Sequence, residues 1–345
     1  MRTCPLCGAH HAAATLAEAG WVDAATAARL AGRHAGWRRA DGACPACVQD
    51  ALLSLLVERG ESTLGRVVQA LWPLDAAAAF GALPTPLRLR ADPRFTGRGV
   101  TIALVDAGFH PHADLVQPTN RIRAWADAGG ETVVVRHYAE DERPTWPGAA
   151  CGEALQWHGL MTSACAAGNG WMSHGLYRGM APDAELVLVQ ARGADGRIGS
   201  ARIARALRWI AEHRARLGIR LVSISLGGEP AEPPGGNAVD DAVAALVDDG
   251  VVVVAASGND GVRHLVPPAT APRAITVGGI DDHNVFDAEA RTLWHASYGN
   301  AADGRRKPEL VAPSVWVAAP LLPETEVARE ATTLFARRAA CDDAC

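Results

Sequence analysis

The sequence lacks any apolar run long enough to cross a bilayer. A spanning helix needs about 20 mainly apolar residues, and no stretch of the chain approaches that length. The amino terminus, MRTCPLCGAHHAAATLAEAG, also lacks a basic segment followed by an apolar one, so it does not predict a secretory signal. These two absences exclude a membrane-spanning class and favour a cytoplasmic protein.

An excess of positive charge is lacking as well. Asp and Glu number 38 against 33 Lys and Arg, which gives a formal net charge of -5. Proteins that bind nucleic acid or an anionic membrane surface by charge carry a basic patch or a basic balance. We therefore expect neither of these partners.

What is present is the composition of a globular protein, with 49% hydrophobic and 21% charged residues. A chain of 345 residues can form one large core and a small extra module. Changes of pattern along the chain predict four segments: a Cys-rich helical module over 1–60, a linker over 61–95, an α/β domain over 96–320, and a helical tail or the start of an insertion over 321–345.

The chain has eight cysteines, which in a reducing compartment are more often metal ligands or free thiols than disulfides. Two Cys-x-x-Cys pairs predict a structural zinc site with four thiolate ligands, Cys4, Cys7, Cys44 and Cys47. Reduced cysteines or a redox pair are the alternatives, and His10 and His11 are possible substitute ligands. No function is assigned to the other four cysteines, Cys151, Cys165, Cys341 and Cys345.

The middle of the chain alternates between apolar runs and helical stretches. The runs are rich in β-branched residues and stop at glycine or a polar residue: TIALVD, AELVLVQA, IRLVSISLGG, VVVVAASGND and AITVGGID. Buried strands that alternate with helices predict a parallel sheet with both faces covered.

Polar residues stand where several of these strands end or where a helix begins. Asp106 ends TIALVD, Asn259 follows VVVVAASG, and His158 begins a helix of small residues. Sites in open α/β sheets form at the carboxyl ends of strands. Taken singly, each residue also has an ordinary explanation, namely a helix cap, a turn or a structural histidine.

Taken together and in this order, the residues resemble the subtilisin-like serine peptidases, the subtilase family. The matching motifs are VDAGFHPHADL, HGLMTSACAAGNG, SISLGG and VVVVAASGND, supported by APDAELVLVQ, PPATAPRAITVGGID and KPELVAPSVWVAAP. The resemblance covers roughly residues 97–320. It implies a subtilisin-like three-layer α/β sandwich with a mainly parallel central sheet, preceded by the small zinc-knuckle domain. It also implies a serine endopeptidase that acts on peptide or protein substrates.

The same resemblance implies roles for individual residues. Asp106 would orient the imidazole of His158, which would act as general base and then general acid, and Asn259 would donate to the oxyanion. Residues 193–199 would extend a substrate peptide as a strand, and Asp114 matches a position that often binds calcium. The residues implied to line the substrate pocket are Ser225, Leu226, Gly227, Gly228 and Gly258.

One part of the family pattern is missing. The nucleophile of the family lies in Gly-Thr-Ser-x-Ala-x-Pro, and this motif does not occur in the chain. Ser297 and Ser314 lack the preceding Gly-Thr, and the flanks of Thr332 and Thr333 do not match. The chain is then a fragment, half of a split enzyme, or a catalytically inactive module that binds a peptide or protein; the retained residues favour the first.

Three further expectations follow from the departures. Without the helix that carries the serine, the sheet should expose apolar surface. The family usually has a hydroxyl residue where this chain has Ala107. It usually has Thr after His-Gly, where this chain has Leu160, so both hydrogen bonds that orient the triad are expected to be lost.

Overall fold

The structure is a computed structural model of the chain. The residues that it describes are 2–11, 24–44, 47–48, 51, 82–145, 152–173, 175, 177–230, 237–284, 288–301 and 303–331. Most of the predicted linker lies outside these residues, as do Cys151, Cys341, Cys345, Thr332 and Thr333. No helix among the described residues is both long and apolar enough to cross a membrane.

The amino-terminal part is a small unit of hairpin and helix. Strands β1 (Arg2–Thr3) and β2 (His10–His11) form an antiparallel pair, and helix α1 (Ala24–Arg33) follows. A 3₁₀ turn over Arg39–Asp41 precedes the second cysteine pair. A compact apolar cluster forms the core of this unit: Leu30, Trp37, Ala43, Val48 and Ala51.

The larger part begins with helix α2 (Thr85–Arg88) and is built on one sheet. Its strands are β3 (Thr101–Asp106), β4 (Ile122–Asp127), β5 (Val134–His137), β6 (Glu185–Gln190), β7 (Ile219–Ile224), β8 (Val252–Ala256), β9 (Ile275–Asp281), β10 (Thr292–Leu293) and β13 (Leu310–Pro313). Its helices are α3 (Ala113–Val116), α4 (Glu153–Ala167), α5 (Ser200–Leu217) and α6 (Ala238–Asp248), with a 3₁₀ turn over Trp171–Ser173. Strands β11 (Gly299–Asn300) and β12 (Arg306–Lys307) form a separate hairpin.

The strand order is β10-β9-β8-β7-β3-β6-β4-β5, and β13 pairs with β9 as well. The ladders between β4, β6, β3, β7, β8, β9 and β13 are parallel, and only β5 and β10 pair antiparallel in this sheet of nine strands. Strand β3 lies between β6 and β7, so the order reverses there. Such a reversal opens a crevice at the carboxyl ends of the strands.

Helices pack on both faces of the sheet. On one face α5 and α6 cover β3, β6, β7 and β8 and enclose the larger core, which includes Val105, Val222 and Val253. On the other face α4 covers β3 and β6, and Phe109 packs edge-to-face on Trp125 with ring centroids 6.4 Å apart. The predicted three-layer α/β sandwich with a mainly parallel sheet is confirmed.

The second face is only partly covered. Side chains alternate along a strand, so Val253 lies in the core under α6 while Val252 points to the opposite face. Val252 is 46% exposed, Ile275 is 36% exposed and Leu310 is 57% exposed. We call the surface formed by these three residues the open face. Its exposed apolar side chains are what the sequence predicts for a sheet without its central helix.

The last residues of the predicted linker are docked on the sheet domain. Arg88, which is 1% exposed, forms an ion pair of 2.7 Å with Asp282 and donates to the carbonyl of Trp316 at 2.9 Å. The backbone N–H of Leu83 donates to Asn284 Oδ1 at 2.7 Å. Residues 82–90 are therefore part of the folded body rather than a free connector.

Candidate active site

The centre of the site is Asp106, the last residue of β3. This position puts it at the carboxyl edge of the sheet, beside the point where the strand order reverses. The residue is 1% exposed. Its Oδ1 accepts the backbone N–H of Ala107 at 2.6 Å, so the alanine at this position still supplies a donor through its main chain.

His158 lies in the second turn of α4 and faces Asp106. The His158 Nδ1 and Asp106 Oδ1 atoms are 2.7 Å apart. This hydrogen bond raises the pKa of His158 above its usual value, although burial of the ring opposes the shift. The carboxylate fixes the proton on Nδ1, which leaves Nε2 as the basic nitrogen. Because 39% of the side chain is exposed, a reactant can reach the imidazole.

A third residue completes this group, and the sequence interpretation missed it. Thr162 Oγ1 donates to Asp106 Oδ2 at 2.8 Å. The orienting bond expected to be lost through Leu160 is therefore supplied by Thr162, two residues further along α4. Leu160 itself is fully buried in the core. The spacing was the available signal, because Thr162 follows His158 by four residues and so lies on the same helix face.

Asn259 lies in the turn after β8, again at the carboxyl edge of the sheet, and it is exposed. Gly258 before it has φ of 103°, a conformation that disfavours any other residue. Both residues line a cavity of about 280 Å³ together with Ser225. Asp106 and His158 are thus in contact, while Asn259 lies two strands away on the same edge.

The segment after β7, residues 225–228, is hydrogen-bonded to β3 on one side and to the loop between β8 and β9 on the other. The N–H of Ser225 donates to the carbonyl of Val105 at 3.2 Å, and that of Gly228 donates to Pro267 at 2.8 Å. Leu226 packs into the core with α5 and α6, so only its backbone is available to a substrate. A side chain on Gly227 would lie 2.8 Å from Val266 Cγ2, so close packing requires this glycine.

The segment 193–199 forms a tight hairpin. Gly193 N–H donates to the carbonyl of Arg197 at 2.9 Å, and Gly196 N–H donates to that of Gly193 at 2.9 Å. Its base is tied to the segment after β7, because Glu229 Oε2 accepts the Ser200 N–H at 2.6 Å. Part of the backbone expected to extend a peptide is therefore already hydrogen-bonded within the chain.

The two serines that follow Asn259 in the sequence form hydrogen bonds away from His158. Ser297 is 1% exposed, and its Oγ accepts the N–H of Asp260 at 3.2 Å. Ser314 Oγ donates to the carbonyl of Ala312 at 3.4 Å. Among the described residues neither serine is hydrogen-bonded to His158.

The four amino-terminal cysteines converge on one point. Their sulfur atoms all lie within 4.8 Å of one another. Cys4 Sγ is 4.0 Å from Cys47 Sγ, and Cys7 Sγ is 3.7 Å from Cys44 Sγ. Zn–S bonds of about 2.3 Å in a tetrahedron separate the sulfurs by about 3.8 Å, so the sulfur positions fit a zinc ion. These separations are far too long for disulfides, in which the sulfurs are about 2.05 Å apart.

The backbone of the first pair has the form of a knuckle. Gly8 has φ of 76° and its N–H donates to the carbonyl of Cys4 at 2.9 Å, which turns the chain around the sulfurs. The N–H of Cys44 donates to Cys4 Sγ at 3.4 Å. His10 instead lies with its Nδ1 3.3 Å from Thr3 Oγ1. Among the described residues, the cysteines alone form a group that could hold a metal.

Asp114, the expected calcium ligand, is buried and already engaged within the chain. Burial raises the pKa of this carboxyl, and its Oδ1 already accepts the N–H of Met172 at 2.9 Å. A calcium ion needs six to eight oxygen ligands, and among the described residues no group of three or more His, Cys, Asp or Glu side chains surrounds Asp114. Cys165, in the last turn of α4, is an inert thiol because burial raises its pKa to about 11.

Comparison with known proteins agrees with this geometry. The model of the subtilase family matches residues 97–337. Serine protease AprX of Bacillus subtilis (strain 168) is 31% identical over 232 residues, which are 64% of this chain and 47% of that protein. Subtilisin BL of Lederbergia lenta is 34% identical over 190 residues, 55% of this chain and 58% of that protein.

Solved structures show the same fold. The structure of Sphericase has a TM-score of 0.52 and 23% identity, and the match covers 70% of this chain and 79% of that one. The subtilisin-like fold expected from the motifs is thereby confirmed. The chain spans about half the length of the curated relatives that it matches, 47% of one and 58% of another.

Proposed function

The chain belongs to the subtilase family, and from that membership we propose that it provides the proton-transfer and oxyanion groups of a serine endopeptidase. His158 removes the proton of the attacking hydroxyl and returns it to the leaving amine. Asp106 holds the imidazole and stabilises its charged form. The side-chain amide of Asn259 donates to the oxyanion of the tetrahedral intermediate.

The observation that carries this proposal is the buried Asp106 with three donors. His158, Thr162 and the Ala107 backbone all bond to it within 2.8 Å. A buried carboxylate is costly unless each oxygen is satisfied. The arrangement locks one tautomer of an accessible imidazole, which is the requirement for a general base at neutral pH.

We further propose that the nucleophilic serine is supplied from outside these 345 residues, on a helix that packs on the open face. The support is twofold. The motif Gly-Thr-Ser-x-Ala-x-Pro is absent from the chain. The open face and the cavity of about 280 Å³ beside Asn259 leave room for such a segment. Peptide or protein substrates would bind along the segment after β7 and the 193–199 hairpin.

The decisive experiment compares hydrolysis of a fluorogenic peptide library by the chain alone and by the chain supplied with a Gly-Thr-Ser-x-Ala-x-Pro segment, fused or added as a peptide. We expect hydrolysis only with the segment. His158→Ala should abolish it, whereas His213→Ala, on α5 across the sheet, should not. Hydrolysis by the chain alone that His158→Ala abolishes would contradict the external nucleophile. Peptide binding without hydrolysis in every form would instead favour a binding module.

For the amino-terminal unit, a domain over 1–60, we propose a structural zinc ion. Four thiolate ligands leave no open position on the metal, so its contribution is to folding rather than to catalysis.

We also propose a cytoplasmic location, since reduced cysteines in ligand geometry suit a reducing compartment. The proposed organisation also has a linker over 61–95, whose residues 82–90 are docked on the sheet domain, a domain over 96–320 and a tail over 321–345.

Metal content tests the zinc site. We expect about one zinc per chain by elemental analysis of protein purified without added metal. Cys44→Ser should lower that ratio strongly, and a chelator should unfold the unit that contains Trp37. Cys165→Ser is the matched control, because this thiol lies outside the cluster. Full zinc content in Cys44→Ser would exclude the site.

A further inference from the structure

In the role proposed above, Asn259 has to point its side-chain amide at a developing charge. It is exposed, and among the described residues its side chain makes no hydrogen bond within the chain. Its direction is therefore set by the backbone of the turn 257–262. The residues that hold this turn decide where the amide points.

One buried residue, Ser297, holds both peptide units around Asn259, one through its backbone and the other through its side chain. The Ser297 N–H donates to the carbonyl of Gly258 at 2.9 Å, on one side of the asparagine. The Ser297 Oγ accepts the N–H of Asp260 at 3.2 Å, on the other side. Ser297 itself is 1% exposed, so its hydroxyl is removed from competition with water.

The close approach of the two segments depends on small residues. A side chain on Gly258 would lie 3.0 Å from Ser297 Oγ. The neighbouring Tyr298 N–H donates to the carbonyl of Val262 at 3.1 Å and closes the far end of the turn. The segment 294–298 is in turn anchored on β9 through Trp294 N–H and the carbonyl of Gly279 at 3.0 Å.

From this geometry we propose that Ser297 is a positioning residue that orients Asn259 as the oxyanion donor. The proposal rests on the role of Asn259 proposed above. Removal of the hydroxyl leaves the Asp260 N–H without its acceptor, and the turn then loses the bond that follows the asparagine. Ser297 acts on the reaction only through Asn259, and it neither attacks the substrate nor binds it.

The first test needs no catalysis. In the full 345-residue chain, the side-chain amide signals of Asn259 are assigned by ¹⁵N NMR from their loss in Asn259→Asp. We expect Ser297→Ala to shift and broaden these signals. The matched control is Thr325→Ala, which removes another buried hydroxyl that accepts a backbone N–H at 3.2 Å, that of Ala328. Unchanged Asn259 signals in a folded Ser297→Ala protein would overturn the proposal.

The second test uses the chain supplied with the serine segment. Loss of an oxyanion donor costs about 10²–10³ in kcat for this type of mechanism. We expect Ser297→Ala to lower kcat about tenfold, since the amide is misdirected rather than removed, and to leave KM within about twofold. The double variant with Asn259→Ala should be no slower than Asn259→Ala alone. An additive loss would overturn the positioning role.

The two tests separate the two proposals. If the NMR signals respond but no form of the protein hydrolyses peptides, the positioning of Asn259 stands and the peptidase proposal fails. If hydrolysis occurs and Ser297→Ala reduces KM and kcat without moving the Asn259 signals, the positioning role fails and the peptidase proposal stands.

Discussion

At the scale of single residues, the hydrogen bond from Thr162 to Asp106 can be tested directly by substitution. Thr162→Val keeps the volume but leaves Asp106 Oδ2 without its donor in a buried position. An unsatisfied buried acceptor costs about 1–3 kcal/mol of unfolding free energy, which urea unfolding measures. Thr162→Ser keeps the hydroxyl and should stay near wild type. Equal stability of the valine and serine variants would show that the hydrogen bond contributes nothing.

His158 gives a prediction about pH. Its pKa is raised in the folded chain by the hydrogen bond with Asp106. A raised pKa adds stability that is fully present below the unfolded value, about 6.5, and is lost as the pH rises through the folded value. Asp106→Asn should remove this dependence in urea unfolding between about pH 5 and 9. A wild-type profile that is flat over this range would contradict the ion pair.

The same residues show which parts of the candidate site could be predicted from the sequence and which could not. Asp106 and Asn259 were predicted from their places at strand ends, and His158 from its place at the start of a helix, together with the order of motifs. The structure puts Asp106 and His158 in contact. Thr162 was missed because the family pattern directs attention to the residue after His-Gly. Leu226 was expected at a pocket, yet strand alternation turns its side chain into the core.

At the scale of elements, the docking of α2 depends on one buried ion pair. Arg88→Met leaves the Asp282 carboxylate buried without its partner, and loss of one member of such a pair costs about 3–5 kcal/mol. The Arg94 pair with Asp92 is the control, because Arg94 is 80% exposed and Arg94→Met should change little. Denaturant unfolding measures both. A small effect of Arg88→Met would mean that residues 82–90 can leave the sheet at little cost.

No local pattern could have shown this contact. Arg88 and Asp282 are 194 positions apart, and the segment around Arg88 is rich in proline and reads as a connector. The strands were predictable because apolar, β-branched runs have a local signature. The order of the strands across the sheet was not predictable, because β6 lies between β3 and β4 although it follows both β4 and β5 in the sequence.

At the scale of the whole molecule, the incomplete layer over the sheet can be tested with neighbouring residues of one strand. Val253, 1% exposed, packs under α6, and Val253→Thr buries a hydroxyl at a cost of about 1–3 kcal/mol. Val252, 46% exposed, lies on the open face, so Val252→Thr should change stability by no more than about 0.5 kcal/mol.

The same pair reports on what the open face does in solution. Apolar patches that stay exposed promote association, so Val252→Thr should reduce self-association in sedimentation experiments while Val253→Thr should not. Addition of the serine segment should bury Val252 and make Val252→Thr destabilising. If Val252→Thr destabilises the chain without that segment, the face is already covered, and the nucleophile has to reach His158 and Asn259 by another path.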